Sequence, residues 1–238
     1  MTKALFASLD VYRDDPSRSA ALNMAIDEAL LKTAEIPTIR FYKWDHPALS
    51  FGYFGKFTEV ASHAAKRDLV RRWTGGGIVL HGDDLTYSIV IPAADPAFSE
   101  SPMSIYAEVH ASLCRALAAC GQNAELAAVA ALYERRPEVH SAVIDRRYNK
   151  DACFDNPVRA DVLSNGRKVA GAAQRRTRRG LLQQGSIQGV DLANKLADQF
   201  AMELCPECSH KTLDEHLIAR AHEIAEQKYE TQVWLRKR

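Results

Sequence analysis

The sequence has no excess of either charge, no long apolar run and few cysteines, and each shortage removes a class of protein. The 31 Lys and Arg are matched by 30 Asp and Glu, a net charge of +1 over 238 residues with 47% hydrophobic residues. That balance is unlike a dedicated nucleic-acid binder or a disordered chain. No stretch approaches the roughly 20 apolar residues of a membrane-spanning helix, because the alanine-rich region from Ala107 to Tyr133 is broken by Glu108, His110, Arg115 and Glu125. The chain reaches Asp10 too early for a secretory signal. Its cysteines, Cys114, Cys120, Cys153, Cys205 and Cys208, are odd in number. Reduced thiols in a cytoplasmic protein, with neither nucleic acid nor membrane as partner, are therefore expected.

The length permits one domain with its own core, taken as residues 1–238 with a helical C-terminal segment from about 191. Between Ser17 and Ala34, Leu22, Ile26, Ala29 and Leu30 recur at helical spacing after a capping Ser19, and Asp27 and Glu28 fall on the other side. Thr38–Lys43 and Ala48–Tyr53 read as neighbouring strands around Pro47, and Thr58–Arg67 as a short helix. Leu69–Trp73, Ile78–Leu80 and Leu85–Ile91 are predicted strands, and Pro102 opens a helix that Gly121 closes. From Glu134 to Asp161 the periodicity vanishes among turn formers, a long loop of the kind that carries function. Ala160–Leu163, a Ser164-Asn-Gly166 turn, Lys168–Ala173 and Leu181–Val190 read as hairpin sequence, and Asp191–Leu204 and Thr212–Gln227 as helices. Strands and helices without regular βαβ alternation give an α/β (α+β) fold, a mixed sheet flanked by helices.

Glycine is sparse, yet three of the 12 stand together in Arg71-Arg-Trp-Thr-Gly-Gly-Gly77, four residues before His81. Consecutive glycines let backbone N–H groups approach a ligand, and the arginines bring positive charge; the spacing fits neither a phosphate loop nor a dinucleotide fingerprint. A second grouping is Cys153, in the long loop, with Lys168 on a strand flanked by Gly166 and Gly171. A thiolate is the strongest nucleophile available near neutral pH, and a partly buried lysine can act as a base or hold a carbonyl oxygen. Cys205-Pro-Glu-Cys208, with His210 and His216 beyond, supplies half of a zinc site at most, so a surface turn between helices is expected and no metal is assigned.

These residues, in order, resemble the biotin/lipoate A/B protein ligase superfamily, and within it the octanoyltransferases of lipoate assembly that use a loop cysteine. The resemblance runs through Asn23–Glu28, Arg40–Trp44, Leu49–Tyr53, Arg71–Gly77 with His81, Leu85–Ser88, Ala152–Phe154, Gly166–Gly171 with Gln174, and Gly185–Ile187. It implies a fold related to the class II aminoacyl-tRNA synthetase core, with Cys153 as nucleophile and Lys168 on the acyl carbonyl. It also implies Arg72, Gly75, Gly76, Gly77, His81, Gly171 and Gln174 as substrate-binding residues. Leu182-Gln-Gln184 stands where many relatives have a histidine, and Trp73 where a small residue or proline is commoner.

The activity so implied is acyl transfer from octanoyl acyl-carrier protein, through a Cys153 thioester, to the lysine of a lipoyl domain of a 2-oxoacid dehydrogenase or of the glycine cleavage H protein. A thioester donor is already activated, so no cofactor is required. ATP and Mg belong to the alternative, a lipoate–protein ligase working through an acyl adenylate; a third reading is a non-catalytic lipoyl-binding relative. Leu49, Phe51, Tyr53, Ile78 and Leu80 are candidate linings for the acyl channel. From Val162 to Val190 there are six basic residues and no Asp or Glu, and Arg175, Arg176, Arg178 and Arg179 form a candidate docking surface for acidic partners.

Overall fold

A computed structural model describes residues 4–128, 157–192 and 195–237. Two sheets organise it. The larger has eight strands in the order β11-β1-β2-β6-β10-β9-β8-β7 and the smaller has three in the order β4-β3-β5. In chain order the larger sheet contains β1 (Leu9–Arg18), β2 (Thr38–Trp44), β6 (Leu85–Pro92), β7 (Glu125–Leu126), β8 (Val162–Ser164), β9 (Arg167–Arg176), β10 (Gly180–Ile187) and β11 (Cys208–Lys211), and the smaller β3 (Ala48–Phe51), β4 (Asp68–Arg71) and β5 (Ile78–His81). The edge strands β11, β1 and β2 run parallel and the rest of the large sheet is antiparallel, which makes it mixed, as expected.

Alternation along the strands sorts side chains into two cores. Tyr87, Ile89 and Ile91 of β6, with Ile39 and Phe41 of β2, pack against α2 (Pro102–Ala119) and α3 (Lys195–Leu204). Tyr42, Trp44, Val90 and Leu182 face α1 (Ala20–Thr33) and α4 (Glu215–Ile224). A π-helical turn at Ala225–Tyr229 and a last short helix, α5 (Gln232–Leu235), complete the chain. Among the described residues no helix is long and apolar enough to cross a membrane.

Several expectations are corrected. β2 and β3 belong to different sheets, because β1 and β6 occupy both edges of β2. Asp27 and Glu28 are buried, since Asp27 meets Arg40 at 2.9 Å and Glu28 meets Lys228 at 2.6 Å. Thr58–Arg67 forms two 3₁₀ turns, Phe57–Glu59 and Ala61–His63, in place of one helix. The strand β1 was not expected, because its Asp14 and Arg18 mask the alternation; they pair with each other, and Asp14 also pairs with Arg40 at 2.6 Å. Cys205 lies in the core, Pro206 and Glu207 make an exposed bend and Cys208 opens β11 beside Leu9, so the turn joins a helix to a strand and not two helices. Burial pushes both thiols up, Cys208 to about 11, which keeps them protonated and poorly nucleophilic at neutral pH. Ser19 caps α1 and Gly121, at φ +78°, follows the end of α2, both as expected.

His110 on α2 is fully buried. Its Nδ1–H donates to the Ala160 carbonyl at 2.6 Å and its Nε2 accepts from the Tyr87 hydroxyl at 3.2 Å, the neutral tautomer. Burial lowers its pKa to about 4, whereas an unfolded histidine titrates near 6.5. Between those values the unfolded chain binds the extra proton, so this stability is present at neutral pH and lost as pH falls from about 6.5 toward 4. Thermal unfolding across that window should show a falling midpoint, and His110→Gln should flatten the fall; an identical slope in the variant would assign the acid sensitivity elsewhere.

Candidate active site

The face of the large sheet toward α1 carries small side chains in a row. Gly171 lies opposite Ser186 and Ala173 opposite Gln184 on β9 and β10, while Ser186 lies opposite Thr86 of β6 and Thr86 opposite Tyr42 of β2. The row makes a trough. Met24 of α1, Tyr42, Trp44 and Gln184 wall it, and Ser50, Val79, His81, Arg72, Gly76 and Gly77 of the smaller sheet and its loop roof it, leaving it partly open to solvent.

The roof is held by buried polar contacts. Arg72 donates from Nη1 to Ser50 Oγ (2.7 Å) and from Nη2 to the carbonyls of Gly75 (3.0 Å) and Gly77 (2.8 Å). His81 is stacked on Trp44 with ring centroids 4.0 Å apart, and its nitrogens contact Asp84 Oδ2 (2.8 Å) and Ser50 Oγ (2.7 Å). Burial lowers the His81 pKa despite Asp84, so the neutral ring donates from Nδ1 and accepts the Ser50 hydroxyl at Nε2. Asp84 also accepts from Thr86 Oγ1 (2.8 Å) and Ser186 Oγ (2.7 Å), which ties the roof to the trough. Gly76, at φ +81°, makes the turn a side chain would strain.

Lys168 enters from β9 through a bulge: Val162 lies opposite Ala170 but Leu163 opposite Lys168, so Val169 is the extra residue that re-aims the strand. The lysine tail then crosses Gly171, where an added Cβ would stand 2.6 Å from Lys168 Cε. Its Nζ pairs with Asp161 Oδ2 at 2.9 Å, both side chains being almost fully buried. Thus Lys168, Gly171, Arg72, Gly76, Gly77 and His81 of the expected site line one pocket.

The other expected residues fall elsewhere. Cys153 lies outside the described residues. Gln174 points to the opposite face of β9, where its Nε2 donates to Gln183 Oε1 at 2.7 Å, and Gly75 supports the roof through its carbonyl without lining the pocket. Leu49, Phe51 and Ile78 form a small core on the far face of the three-stranded sheet, whose trough-facing residues are Ser50, Val79 and His81. Leu80 and Tyr53 are also absent from the lining. The four arginines do not share a face: Arg175 lies over Tyr53 and Trp73, whereas Arg176 covers Phe98 and donates to the Phe98 and Glu100 carbonyls. Asp161, Tyr106, Asp84, Ser50 and Met24 were not expected. For Asp84 the signal was its place three residues after His81; for Asp161, its place at the start of the hairpin that carries Lys168.

The architecture is that of lipoate–protein ligases. The chain superposes with a TM-score of 0.68 on a lipoate-protein ligase A solved with ATP, at 20% identity over 97% of this chain and 98% of that one. It gives 0.66 with a bipartite lipoate protein ligase from Thermoplasma acidophilum, at 18% identity over 96% and 95%. Residues 19–203 match the lipoyl protein ligase A/B catalytic domain, and the chain belongs to that family. Among curated relatives it is 36% identical over 184 residues to the octanoyltransferase LipM of Oceanobacillus iheyensis, covering 74% of this chain and 62% of that protein. With octanoyltransferase LipM of Kyrpidia tusciae it shares 38% over 212 residues, 84% of this chain and 74% of the relative. The chain thus spans somewhat under two thirds of the first of these proteins.

The closest backbone approach in the roof is at Gly52, where a Cβ would stand 2.1 Å from the Gly76 carbonyl oxygen and 2.6 Å from that of Gly75. Gly52→Ala should cost about 1–3 kcal/mol by overpacking, measured by denaturant unfolding. Gly82→Ala, with nothing within 4 Å, is the matched control and should leave the midpoint in place; equal effects would refute the close packing.

Proposed function

We propose that the protein is an octanoyltransferase of protein lipoylation, taking the acyl group from octanoyl acyl-carrier protein through a Cys153 thioester to the lysine of a lipoyl domain. The observation that carries this reading is the placement of the Lys168 ammonium beside Gly171 in an otherwise mostly small-residue and apolar trough. A straight alkyl chain laid along Gly171 and Ala173 would bring the carbonyl at its end to Lys168, the lysine among the described pocket-lining residues. The octanoyltransferase relatives support the same reading.

In the first half-reaction the Cys153 thiolate attacks the donor thioester, a new C–S bond forms as the carrier thiolate departs, and the Lys168 N–H groups stabilise the oxyanion. In the second, the acceptor amine attacks, the C–N bond forms as the bond to Cys153 sulfur breaks, and the amine's proton passes to the departing sulfur. Because the donor is activated, the scheme uses neither ATP nor a metal. The acceptor is a lipoyl domain of a 2-oxoacid dehydrogenase or the glycine cleavage H protein, and the compartment is the cytoplasm.

The protein incubated with octanoyl acyl-carrier protein and an apo lipoyl domain, without ATP, should give the octanoylated domain by mass spectrometry. Lys168→Met should slow transfer about 100-fold or more, the scale of losing an oxyanion donor, and Cys153→Ser should abolish the acyl-enzyme. Transfer that requires ATP and survives Cys153→Ser would replace this reading with the ligase.

A further inference from the structure

Behind Lys168 stands a buried apparatus that no part of the transfer scheme yet uses. Asp161 is fully buried and takes three donors: Lys168 Nζ at 2.9 Å, the Val158 backbone N–H at 2.7 Å and the Tyr106 hydroxyl at 2.5 Å. Tyr106 in turn accepts the Ala172 backbone N–H at 3.1 Å, so the hydroxyl is fixed to β9 one residue beyond Gly171. Burial and the Asp161 charge raise the Tyr106 pKa above its ordinary value, which keeps that hydroxyl protonated and donating. Both Asp161 Oδ1 and Lys168 Nζ lie within 3.2 Å of the position a Gly171 Cβ would take. The absent side chain is what lets the pair fold over the strand.

We propose that Asp161, backed by Tyr106, is a positioning residue that holds the Lys168 side chain across Gly171 as a cationic hydrogen-bond donor, so that Lys168 serves the acyl carbonyl by charge and not as a base. This rests on the assignment of Lys168 to the carbonyl made above. A buried ammonium without a counter-charge favours its neutral form, and the carboxylate with three donors supplies that charge in a fixed place. Among the described residues, the other titratable groups around the pair are Tyr106 and His110 from α2, Tyr87 from β6, and Arg72 and His81 in the shared pocket. His110 and His81 are neutral by burial and the two tyrosines stay protonated, so Arg72 is the one charged neighbour among these, and its sign disfavours a second cation. Asp161 is therefore the group whose removal should change the lysine's charge state.

The test uses the full chain and the variants Asp161→Asn and Tyr106→Phe, and reads the pH dependence of Lys168 modification by trinitrobenzenesulfonate through peptide mass spectrometry. This needs no acyl substrate. In Asp161→Asn the labelling midpoint should move to lower pH by about one unit, tenfold faster labelling below it, and in Tyr106→Phe by less in the same direction. A contact that only braces the fold would change the rate by one factor at every pH and leave the midpoint fixed, which would overturn the proposal. Should Asp161→Asn show no cooperative unfolding, Tyr106→Phe alone decides by the same midpoint criterion. Octanoyl transfer by Asp161→Asn should lose kcat about tenfold with KM unchanged, and its alkaline limb should move with the labelling curve. A shifted midpoint in a protein that transfers no octanoyl group would sustain the role of Asp161 and refute the assigned reaction.

Discussion

The buried carboxylate of Asp27 fixes how α1 sits on the large sheet. It sits in the middle of α1 and accepts from Arg40 Nη1 (2.9 Å) and Tyr42 Oη (3.2 Å) of β2, Ser88 Oγ (2.7 Å) of β6 and Gln184 Nε2 (2.7 Å) of β10. One side chain thereby registers a helix on three adjacent strands. Gln184 passes the constraint on, because its Oε1 accepts from Thr74 Oγ1 at 2.8 Å at the start of the glycine loop. Arg40 is satisfied in parallel by Asp14 and by Asn23, so the charges are compensated within the interior. Breaking such a network from one side costs about 3–5 kcal/mol, since the partner is left buried and unpaired. Floor and roof of the trough are thus placed by directional bonds, and apolar packing fills in around them.

The same logic separates two kinds of charge in the pocket. The His81, Asp84, Ser50 and Arg72 chain is a roof support: burial keeps the imidazole neutral, and its hydrogen bonds run between groups of the protein. Lys168 lies with its charge in the pocket and its counter-ion behind it. A cation held in place by a buried counter-ion is where a polarised carbonyl gains most, because little reorganisation is needed when charge develops.

Much of this was legible in the residues. The hairpin that carries Lys168 announced itself through Ser164-Asn-Gly166, and Asn165 and Gly166 do take positive φ, 49° and 71°. The fold class and six of the seventeen pocket-lining residues, Arg72, Gly76, Gly77, His81, Lys168 and Gly171, followed from motif order. What stayed hidden depends on distant partners: Glu28 looks solvent-facing until Lys228, 200 residues away, is seen to meet it. Alternation names the two faces of a strand but not which one lines the pocket, so the sequence points to Leu49 and Phe51 where the structure has Ser50. Gln174 is the opposite lesson. It is an odd number of positions from Gly171, so strand geometry alone puts it on the other face. The bulge at Val169, which sets the aim of Lys168, leaves no mark in composition or periodicity.

The central claim, that the trough over Gly171 is an acyl site governed by Lys168, is tested most directly by a crystal structure of the protein bound to a non-hydrolysable octanoyl thioester analogue. The alkyl chain should lie along Gly171 and Ala173, beneath Gly76 and Gly77, with the carbonyl oxygen within hydrogen-bonding distance of Lys168 Nζ. A chain bound elsewhere, or a carbonyl facing away from Lys168, would contradict it.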